Sequence, residues 1–418
     1  MSEKVSALAA YGALGMPLAM AALPVYVQVP IYYTTHLGLA LSLTGTVLFA
    51  ARLVDTVQDP WLGQWIDRLA RRGRLTPMLV VAALLLAMTF AGLWLPPLSG
   101  NALAAWLALA LIAVYTAHSL LNITYLAWGA RLAPSTTGLT NAAGWREGAG
   151  LLGVMLASAL PTWLMNSHTW SAERGMAAYS ALFAVLLFIG LLALLRYAPR
   201  WRDPVVAVAP NWTSTLANAR FRQLLVPYFL NAISVSVPAT LALFFIADRL
   251  QAPRWSGLFL AVYFAAGAAG LPGWTRLAAR IGPARAWRLG MALAVAAFIW
   301  ATLLGPGDAP AYLAVCVMAG LALGADLILP PVLLACLIPP NEQPAGYYGV
   351  WSLLGKLALA LSGLTLPLLA AFGYQPGAAA SGGAALALAY GGLPCLFKLA
   401  AWGTLRTAEF STSEEPST

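Results

Sequence analysis

The sequence predicts an all-α membrane protein whose twelve transmembrane helices form two six-helix bundles. Hydrophobic residues make up 61% of the 418 residues, and charged residues make up only 9%. Soluble domains average about 45–50% and about 25%, respectively. A soluble fold cannot cover so much apolar surface with so few charges, so we expect lipid to surround most of the chain.

Twelve stretches are long and apolar enough for transmembrane helices, each of which needs about 20 residues to cross a bilayer. We expect the spans at 6–33, 41–66, 76–96, 103–130, 139–167, 174–198, 220–247, 255–279, 284–304, 310–338, 345–373 and 381–405. The first stretch is longer than the roughly 7–15 apolar residues of a signal peptide, so we interpret it as a retained helix.

The basic residues predict the orientation of the spans. Of the 23 Lys and Arg residues, sixteen fall on the side of the N-terminus, three on the other side and four within spans. By the positive-inside rule, both termini are expected in the cytoplasm, in a bacterial-type inner membrane. The net charge of +9 therefore indicates topology and attraction to anionic lipid, not nucleic-acid binding. The three cysteines show no metal-ligand spacing, and no cofactor is expected.

The longest polar interruption, residues 196–222, divides the spans into two sets of six. We predict an N-terminal bundle at 1–198, a cytoplasmic central loop at 199–219 and a C-terminal bundle at 220–418. Transporters built from two related bundles around a midplane site have this layout.

The loop after the second span, GQWIDRLARRGR at 63–74, resembles the cytoplasmic signature of the major facilitator superfamily. The segment GWTRLAARIGPAR at 273–285 repeats it without the Asp. We expect Gly63 to allow close helix approach and Asp67 to pair with an Arg across a cytoplasmic gate, with Arg68 and Arg72 in the basic cluster. The alternative is a solvated positive-inside loop.

Ionisable residues inside a bilayer are costly and mark functional sites. Four acids and four bases lie within the spans: Asp55, Asp59, Glu147, Asp326, Arg52, Arg146, Lys356 and Lys398. Asp55 and Asp59 lie four residues apart, so they share one helix face. Two close carboxylates in low dielectric share a proton or bind a cation, and Gln58 and Ser119 offer neutral oxygens. The alternative is a structural salt-bridge cluster with Arg52.

This stretch, ARLVDTVQDPWLG at 51–63 with its preceding Ala50, resembles the glycoside–pentoside–hexuronide:cation symporter family. Further similar segments are YGALGMPLAMAAL, IYYTTHLGL, LLNITYLAW and GVWSLLGKLALAL. The resemblance implies a major facilitator fold and a cation site at Asp55 and Asp59. The resemblance implies substrate positions at Arg146, Lys356 and Asn122. Three aromatic residues on spans one and four, Tyr26, Tyr125 and Trp128, are further substrate candidates, with helix packing as the alternative role of each. Carboxylates that sugar-transporting relatives carry in the first and fourth spans are here replaced, the latter by Asn122.

Four further residues allow more than one role. His118 shares a face with Asn122 and is a candidate proton relay, or a neutral histidine bonded to a neighbouring carbonyl. Glu147 is expected to be structural, pointing about 100° away from Arg146 and able to pair elsewhere. Asp326 is expected to cap or pair within its span, and Lys398 to extend toward the cytoplasmic interface.

These observations predict a Na⁺- or H⁺-coupled symporter of a sugar or other small polar solute, working as a monomer in membrane lipid. The main alternative is a transporter of a lysolipid or another amphiphile, whose anionic head would lie on Arg146 and Lys356. A non-transporting membrane receptor is less favoured. The sequence lacks a Ser-His-Asp grouping and a glycine-rich phosphate loop, so no enzyme is expected.

Overall fold

The structure is a computed structural model that describes residues 2–100, 102–165, 171–201, 212–375 and 383–405. These residues form helices and connecting turns without a β-strand. The predicted all-α class is confirmed. Helices satisfy their own backbone hydrogen bonds, and this is what a chain crossing lipid requires.

In the first half of the chain, the described residues form seven α-helices. Their bounds are α1 Ser2–Gly12, α2 Gly15–Ile31, α3 Leu41–Arg71, α4 Leu75–Trp94, α5 Ala102–Gly129, α6 Thr136–Met165 and α7 Ala172–Tyr197. The first predicted span is therefore two helices with a break at residues 13–14, followed by a π-helical turn at Tyr32–His36.

In the second half, the described residues form nine further α-helices, and two of the predicted spans are each divided between two helices. Their bounds are α8 Trp212–Ala217, α9 Ala219–Phe244, α10 Ser256–Ile281, α11 Pro283–Leu303, α12 Ala309–Leu337, α13 Ala345–Ser362, α14 Thr365–Ala371, α15 Gly383–Ala387 and α16 Leu393–Thr404. A π-helical turn, Phe245–Arg249, extends α9, and another, Leu388–Gly392, joins α15 to α16.

Ten helices of the described residues are long and apolar enough to cross a membrane. The long helices α3 and α6, of 31 and 30 residues, are not among these ten. Those two helices carry Asp55 and Asp59, and Arg146 and Glu147, respectively. Charged groups lower the mean hydropathy of a helix. The ionisable residues on α3 and α6 therefore account for the lower hydropathy of these two helices.

The chain forms two compact units. Unit 1 comprises Met1–Pro134, Asn141–Asn211 and Pro339–Leu353, and unit 2 comprises Ser135–Thr140, Trp212–Ile338 and Leu354–Thr418. In unit 1, α5 packs against both α3 and α4. In unit 2, α12 packs against α10 and α11, and α16 packs against α9 and α11. The start of α13 thus belongs to unit 1, through contacts described below.

Candidate functional site

The two carboxylates of α3 are buried in unit 1. Asp55 is 4% exposed and Asp59 is 0% exposed. They are one helical turn apart on a continuous helix, so their side chains leave the same face. Two carboxylates held this close outside bulk water cannot both ionise cheaply unless positive charge is nearby.

Asp55 accepts hydrogen bonds from two neutral polar side chains. Ser119 Oγ on α5 donates to Asp55 Oδ1 at 3.3 Å, and Gln58 Nε2 donates to the same oxygen at 3.4 Å. Thr116 Oγ1 donates to Gln58 Oε1 at 2.8 Å and so fixes the orientation of that amide. The structure therefore brings together Asp55, Gln58 and Ser119. Sequence reasoning missed Thr116, although it lies three residues before Ser119 and hence on the same face of α5.

Asp59 is held by a residue that the sequence analysis did not single out. Ser352 Oγ on α13 donates to Asp59 Oδ2 at 2.5 Å. Ser352 lies four residues before Lys356, so the two share one helix face. The spacing of four residues from Lys356 could have indicated Ser352 as a candidate site residue. The sequence could not show, however, that the start of α13 packs on α3.

The predicted gate residues Gly63 and Asp67 also lie against α13. Asp67 is 2% exposed, and its carboxylate accepts the N–H groups of Ala345 at 2.9 Å and Gly346 at 2.7 Å. The first N–H groups of a helix have no acceptor within it and carry partial positive charge, so a carboxylate stabilises them.

The acceptor role of Asp67 differs from the expected pairing with an Arg. Its hydrogen bonds go to backbone amides, while Arg68 and Arg72 are exposed. Arg131 acts on the Asp67 carboxylate electrostatically. Arg131 Nη2 also donates to the carbonyls of Pro339, at 3.1 Å, and Glu342. Asp67 and Arg131 thus both hold the chain that enters α13.

Two glycines allow α3 and α13 to approach closely. A Cβ at Gly63 would lie 2.4 Å from the carbonyl oxygen of Ala345, and a Cβ at Gly349 would lie 2.6 Å from that of Asp59. Real Cβ atoms essentially never approach other atoms so closely, and both contacts are with backbone. Glycine at these two positions is therefore a condition of the contact.

Arg146 and Glu147 form an ion pair within α6. Arg146 is 8% exposed, and its Nε and Nη2 donate to Glu147 Oε1 at 2.8 and 2.6 Å. The expectation that neighbouring residues point apart was wrong for the charged groups, because both side chains are long enough to turn toward each other. The Tyr11 hydroxyl lies beside the same guanidinium.

The predicted aromatic substrate residues have partners within unit 1. Tyr125 is 1% exposed, and its hydroxyl lies 2.7 Å from the carbonyl of Tyr11 and 3.1 Å from that of Gly12. Tyr11 donates in return to the carbonyl of Tyr125 at 3.1 Å. Trp128 Nε1 donates to the Pro199 carbonyl at 2.9 Å. Tyr125 thus supports the break between α1 and α2, and Trp128 supports the start of the central loop.

The other predicted residues are placed as follows. Asn122 is half-buried on α5, and Lys356 is half-buried on α13 in unit 2. His118 Nε2 lies 3.1 Å from the carbonyl of Leu18, which matches the carbonyl-bonded alternative to a proton relay. The side chain of Tyr26 lies outside what the structure describes.

A family model for major facilitator superfamily sugar transport proteins matches residues 8–409, nearly the whole chain. The chain belongs to this family. The resemblance to the cation symporters noted from the sequence is confirmed at this level. The protein is a major facilitator transporter, a multi-pass membrane protein and not an enzyme.

Solved structures share the major facilitator fold. A bacterial homologue of the iron transporter ferroportin, in an outward-facing state, matches with a TM-score of 0.74 and 17% identity, over 98% of this chain and 99% of that one. The human organic anion transporter MFSD10 matches with a TM-score of 0.69 and 18% identity, over 96% of this chain and 99% of that one. The E. coli fucose:proton symporter matches with a TM-score of 0.68 and 12% identity, again over 96% of this chain and 99% of that one. At these identities the likeness concerns the fold alone.

Unit 2 of this major facilitator transporter contains a buried polar cluster that sequence reasoning assigned differently. Lys398 is 3% exposed, and its Nζ donates to Asp326 Oδ2 at 2.5 Å and to Asn231 Oδ1 at 2.7 Å. Trp287 Nε1 donates to Asp326 Oδ1 at 2.9 Å. The expectations that Lys398 extends to the interface and that Asp326 pairs within its own span were wrong, because each is the other's buried counter-ion.

Proposed function

We propose that this chain is a cation-coupled symporter that moves a sugar or another small polar solute by alternating access. The observation that carries the proposal is the pair of buried carboxylates, Asp55 and Asp59, on one face of α3. The family description, sugar transport, and the fold shared with a fucose:proton symporter support the substrate class.

The chemistry of the α3 site suits a small hard cation. Carboxylate, hydroxyl and amide oxygens are the ligands that such ions prefer. Asp55 and Asp59 supply the charge, and Ser119 and Gln58 supply neutral oxygens next to Asp55. A proton on one carboxylate would relieve the same repulsion, so Na⁺ and H⁺ are the two candidate coupling ions.

The contact between α3 and α13 gives the ion a way to influence conformation. Asp59 accepts from Ser352, and Asp67 holds the amides of Ala345 and Gly346, seven and six residues earlier on the same helix. A cation at Asp59 competes with the Ser352 hydroxyl for the carboxylate oxygens. Ion binding and the position of α13 are therefore linked, and linkage requires that each changes the other's equilibrium.

For the substrate, we propose contacts from Arg146, Lys356 and Asn122. Arg146 has one carboxylate partner, Glu147 Oε1, and a guanidinium has five N–H donors. Tyr125 and Trp128 are proposed to position the surrounding backbone, because their polar atoms bind carbonyls. An amphiphile with an anionic head is the competing substrate class and belongs in the same panel.

The cellular setting is proposed from the distribution of basic residues. Sixteen Lys and Arg residues on one side against three on the other favour a bacterial-type inner membrane with cytoplasmic termini. We propose a monomer, because each symporter unit of this kind carries its own midplane site.

The test is concentrative uptake by purified protein in liposomes, with a panel of sugars and lysolipids and with either a Na⁺ or a pH gradient. We expect Asp55→Asn and Asp59→Asn each to abolish uphill accumulation while retaining substrate exchange. The control is Glu173→Gln, which neutralises an exposed carboxylate of α7 in the same unit and should transport normally. Normal accumulation in both Asp variants would refute cation coupling at this site.

A further inference from the structure

The α10–α11 hairpin of unit 2 is basic and contains no acid. No Asp or Glu occurs from Arg249 through Gly307. Four arginines flank the turn between the two helices: Arg276, Arg280, Arg285 and Arg288. The corresponding segment at the end of α3 contains Asp67, which accepts hydrogen bonds from the first amides of α13. The degenerate repeat in unit 2 therefore keeps the positive charge and lacks the carboxylate.

The arginines of this hairpin lie at its surface. α10 ends at Ile281, Gly282 turns the chain with φ of 83°, and α11 begins at Pro283. Arg276, Arg280 and Arg285 are exposed. Arg288 is half-buried, and its guanidinium carbon lies 3.7 Å from the centre of the Trp402 ring on α16. Stacking on Trp402 fixes Arg288 in place and leaves the edge of its guanidinium able to bind an anion.

The electrostatics of this end of unit 2 favour an external anion. The N-terminus of α11 carries partial positive charge, and Arg285 in its first turn adds charge of the same sign, which is unfavourable there. The segments α15, α16 and the π-helical turn between them, which pack against α11, contain no acid. α12 contributes Asp326, which is buried and already binds Lys398 and Trp287. Within the described part of unit 2, the charge on the hairpin is therefore not neutralised by the elements packed against it.

An exposed apolar surface continues from the arginines along α11 and α16. On α11, exposed apolar residues follow a helical stripe that includes Leu289, Ala292, Ala296, Ile299 and Leu303. On α16, which packs against α11, Leu396 and Leu399 are exposed about two turns and one turn before Trp402, respectively. A ligand matching both features has an anionic head and long apolar chains.

We propose that the hairpin arginines, with Arg288 stacked on Trp402, bind the phosphate headgroup of an anionic phospholipid, with its acyl chains along α11 and α16. Basic pockets between transmembrane helices are known to select anionic headgroups. A free phosphate ion would use the same arginines but would gain nothing from the apolar stripe.

The test measures binding of phosphatidylglycerol to the purified full chain in phosphatidylcholine nanodiscs, as the rise in melting temperature with the fraction of anionic lipid. At about 1 kcal/mol for each basic residue near an anionic surface, the double variant R285Q/R288Q should bind about thirtyfold more weakly. The charge-conserving R285K/R288K should keep most of the affinity. The matched control is R254Q, which removes an exposed arginine at the other end of α10.

Three further experiments distinguish the ligands that could bind at the hairpin arginines. Inorganic phosphate added to protein in pure phosphatidylcholine should not raise the melting temperature, and raising the salt concentration should weaken the phosphatidylglycerol effect. The single variant R285Q, at an exposed position, provides the comparison if the double variant does not fold. Deletion of residues 407–418, which include Glu409, Glu414 and Glu415, tests the chain's own acidic tail as the occupant and should leave the lipid effect unchanged.

The proposal is overturned if R285Q/R288Q, or R285Q alone, responds to phosphatidylglycerol as the wild type does. It is equally overturned if phosphate alone reproduces the effect, or if lipid binding appears only after the tail is deleted. None of these results depends on the transported substrate, so they leave the proposed symport untouched.

Discussion

Replacing Gly63 by alanine should open the contact between α3 and α13. The new Cβ would lie 2.4 Å from the Ala345 carbonyl oxygen, 3.0 Å from its carbon and 3.2 Å from Gly346 Cα. Ordinary contact begins at 3.4 Å, so the start of α13 must move by about 1 Å. All three contacts are with backbone, and no side-chain rotation can relieve them.

The size of the effect follows from two opposing contributions. Overpacking of this kind costs about 1–3 kcal/mol, while alanine gains about 1 kcal/mol over glycine inside a helix. Gly45 provides the matched control, because it lies in the same helix and a Cβ there meets nothing within 4 Å. Gly45→Ala should therefore stabilise the protein by up to about 1 kcal/mol. The two variants should differ by about 2 kcal/mol in the stability of the contact, roughly a thirtyfold change in its equilibrium.

Hydrogen exchange at the start of α13 measures this contact directly. The amides of Ala345 and Gly346 have Asp67 as their acceptor. Gly63→Ala should speed their exchange by about an order of magnitude or more, while Gly45→Ala should not. Unchanged protection in Gly63→Ala would show that the glycine is not needed for the approach and would refute the reasoning.

The buried ion pairs give two further predictions, both measured as thermal stability in detergent. Lys398→Met should destabilise the protein by about 3–5 kcal/mol, because it leaves Asp326 buried without its counter-ion. Adding Asp326→Leu to this variant should recover most of the lost stability. If the double variant recovers no stability, the two residues do not act as a simple pair. Glu147→Gln should reduce the stability of the protein several-fold more than the exposed control Glu173→Gln, which should change it by no more than about 0.5 kcal/mol. Equal losses of stability in the two variants would show that Arg146 does not depend on Glu147.

The fold was predictable because its signals are local. Stretches of about 20 apolar residues indicate spans whatever their neighbours are, and the described helices follow most of the predicted boundaries. The interruptions were not predictable in the same way. The first span breaks at residues 13–14, and that break is supported by reciprocal hydrogen bonds between Tyr11 and Tyr125. These bonds join residues more than a hundred positions apart, which no local pattern contains.

In the candidate site, too, contacts within one helix were predictable from the sequence and contacts between helices were not. The shared face of Asp55 and Asp59 follows from a spacing of four residues within one helix, so the sequence was sufficient to place them together. Ser352 and Thr116 reach the site from other helices, and their contribution depends on which helices pack together. The role of Asp67 was only partly predictable. It was expected to pair with an Arg at a cytoplasmic gate, but its role as acceptor for the N-terminal amides of α13 depends on where α13 lies.

The eight ionisable residues of the spans illustrate how charge limits the possible assignments. Equal numbers of acids and bases indicated pairing, but Glu147 was expected to pair outside its own turn and Lys398 to leave the bilayer. The structure instead closes Arg146 on Glu147 and Lys398 on Asp326. These two pairs account for two acids and two bases, and the formal charges of the other four ionisable residues of the spans, Arg52, Lys356, Asp55 and Asp59, sum to zero. A monovalent cation at the proposed site, Asp55 and Asp59, would add a net charge of +1. A neutral sugar carried with that cation would move in response to the membrane potential, whereas an anionic substrate would cancel the added charge. The charge of the substrate, which the sequence did not reveal, therefore determines whether each transport cycle moves net charge across the membrane.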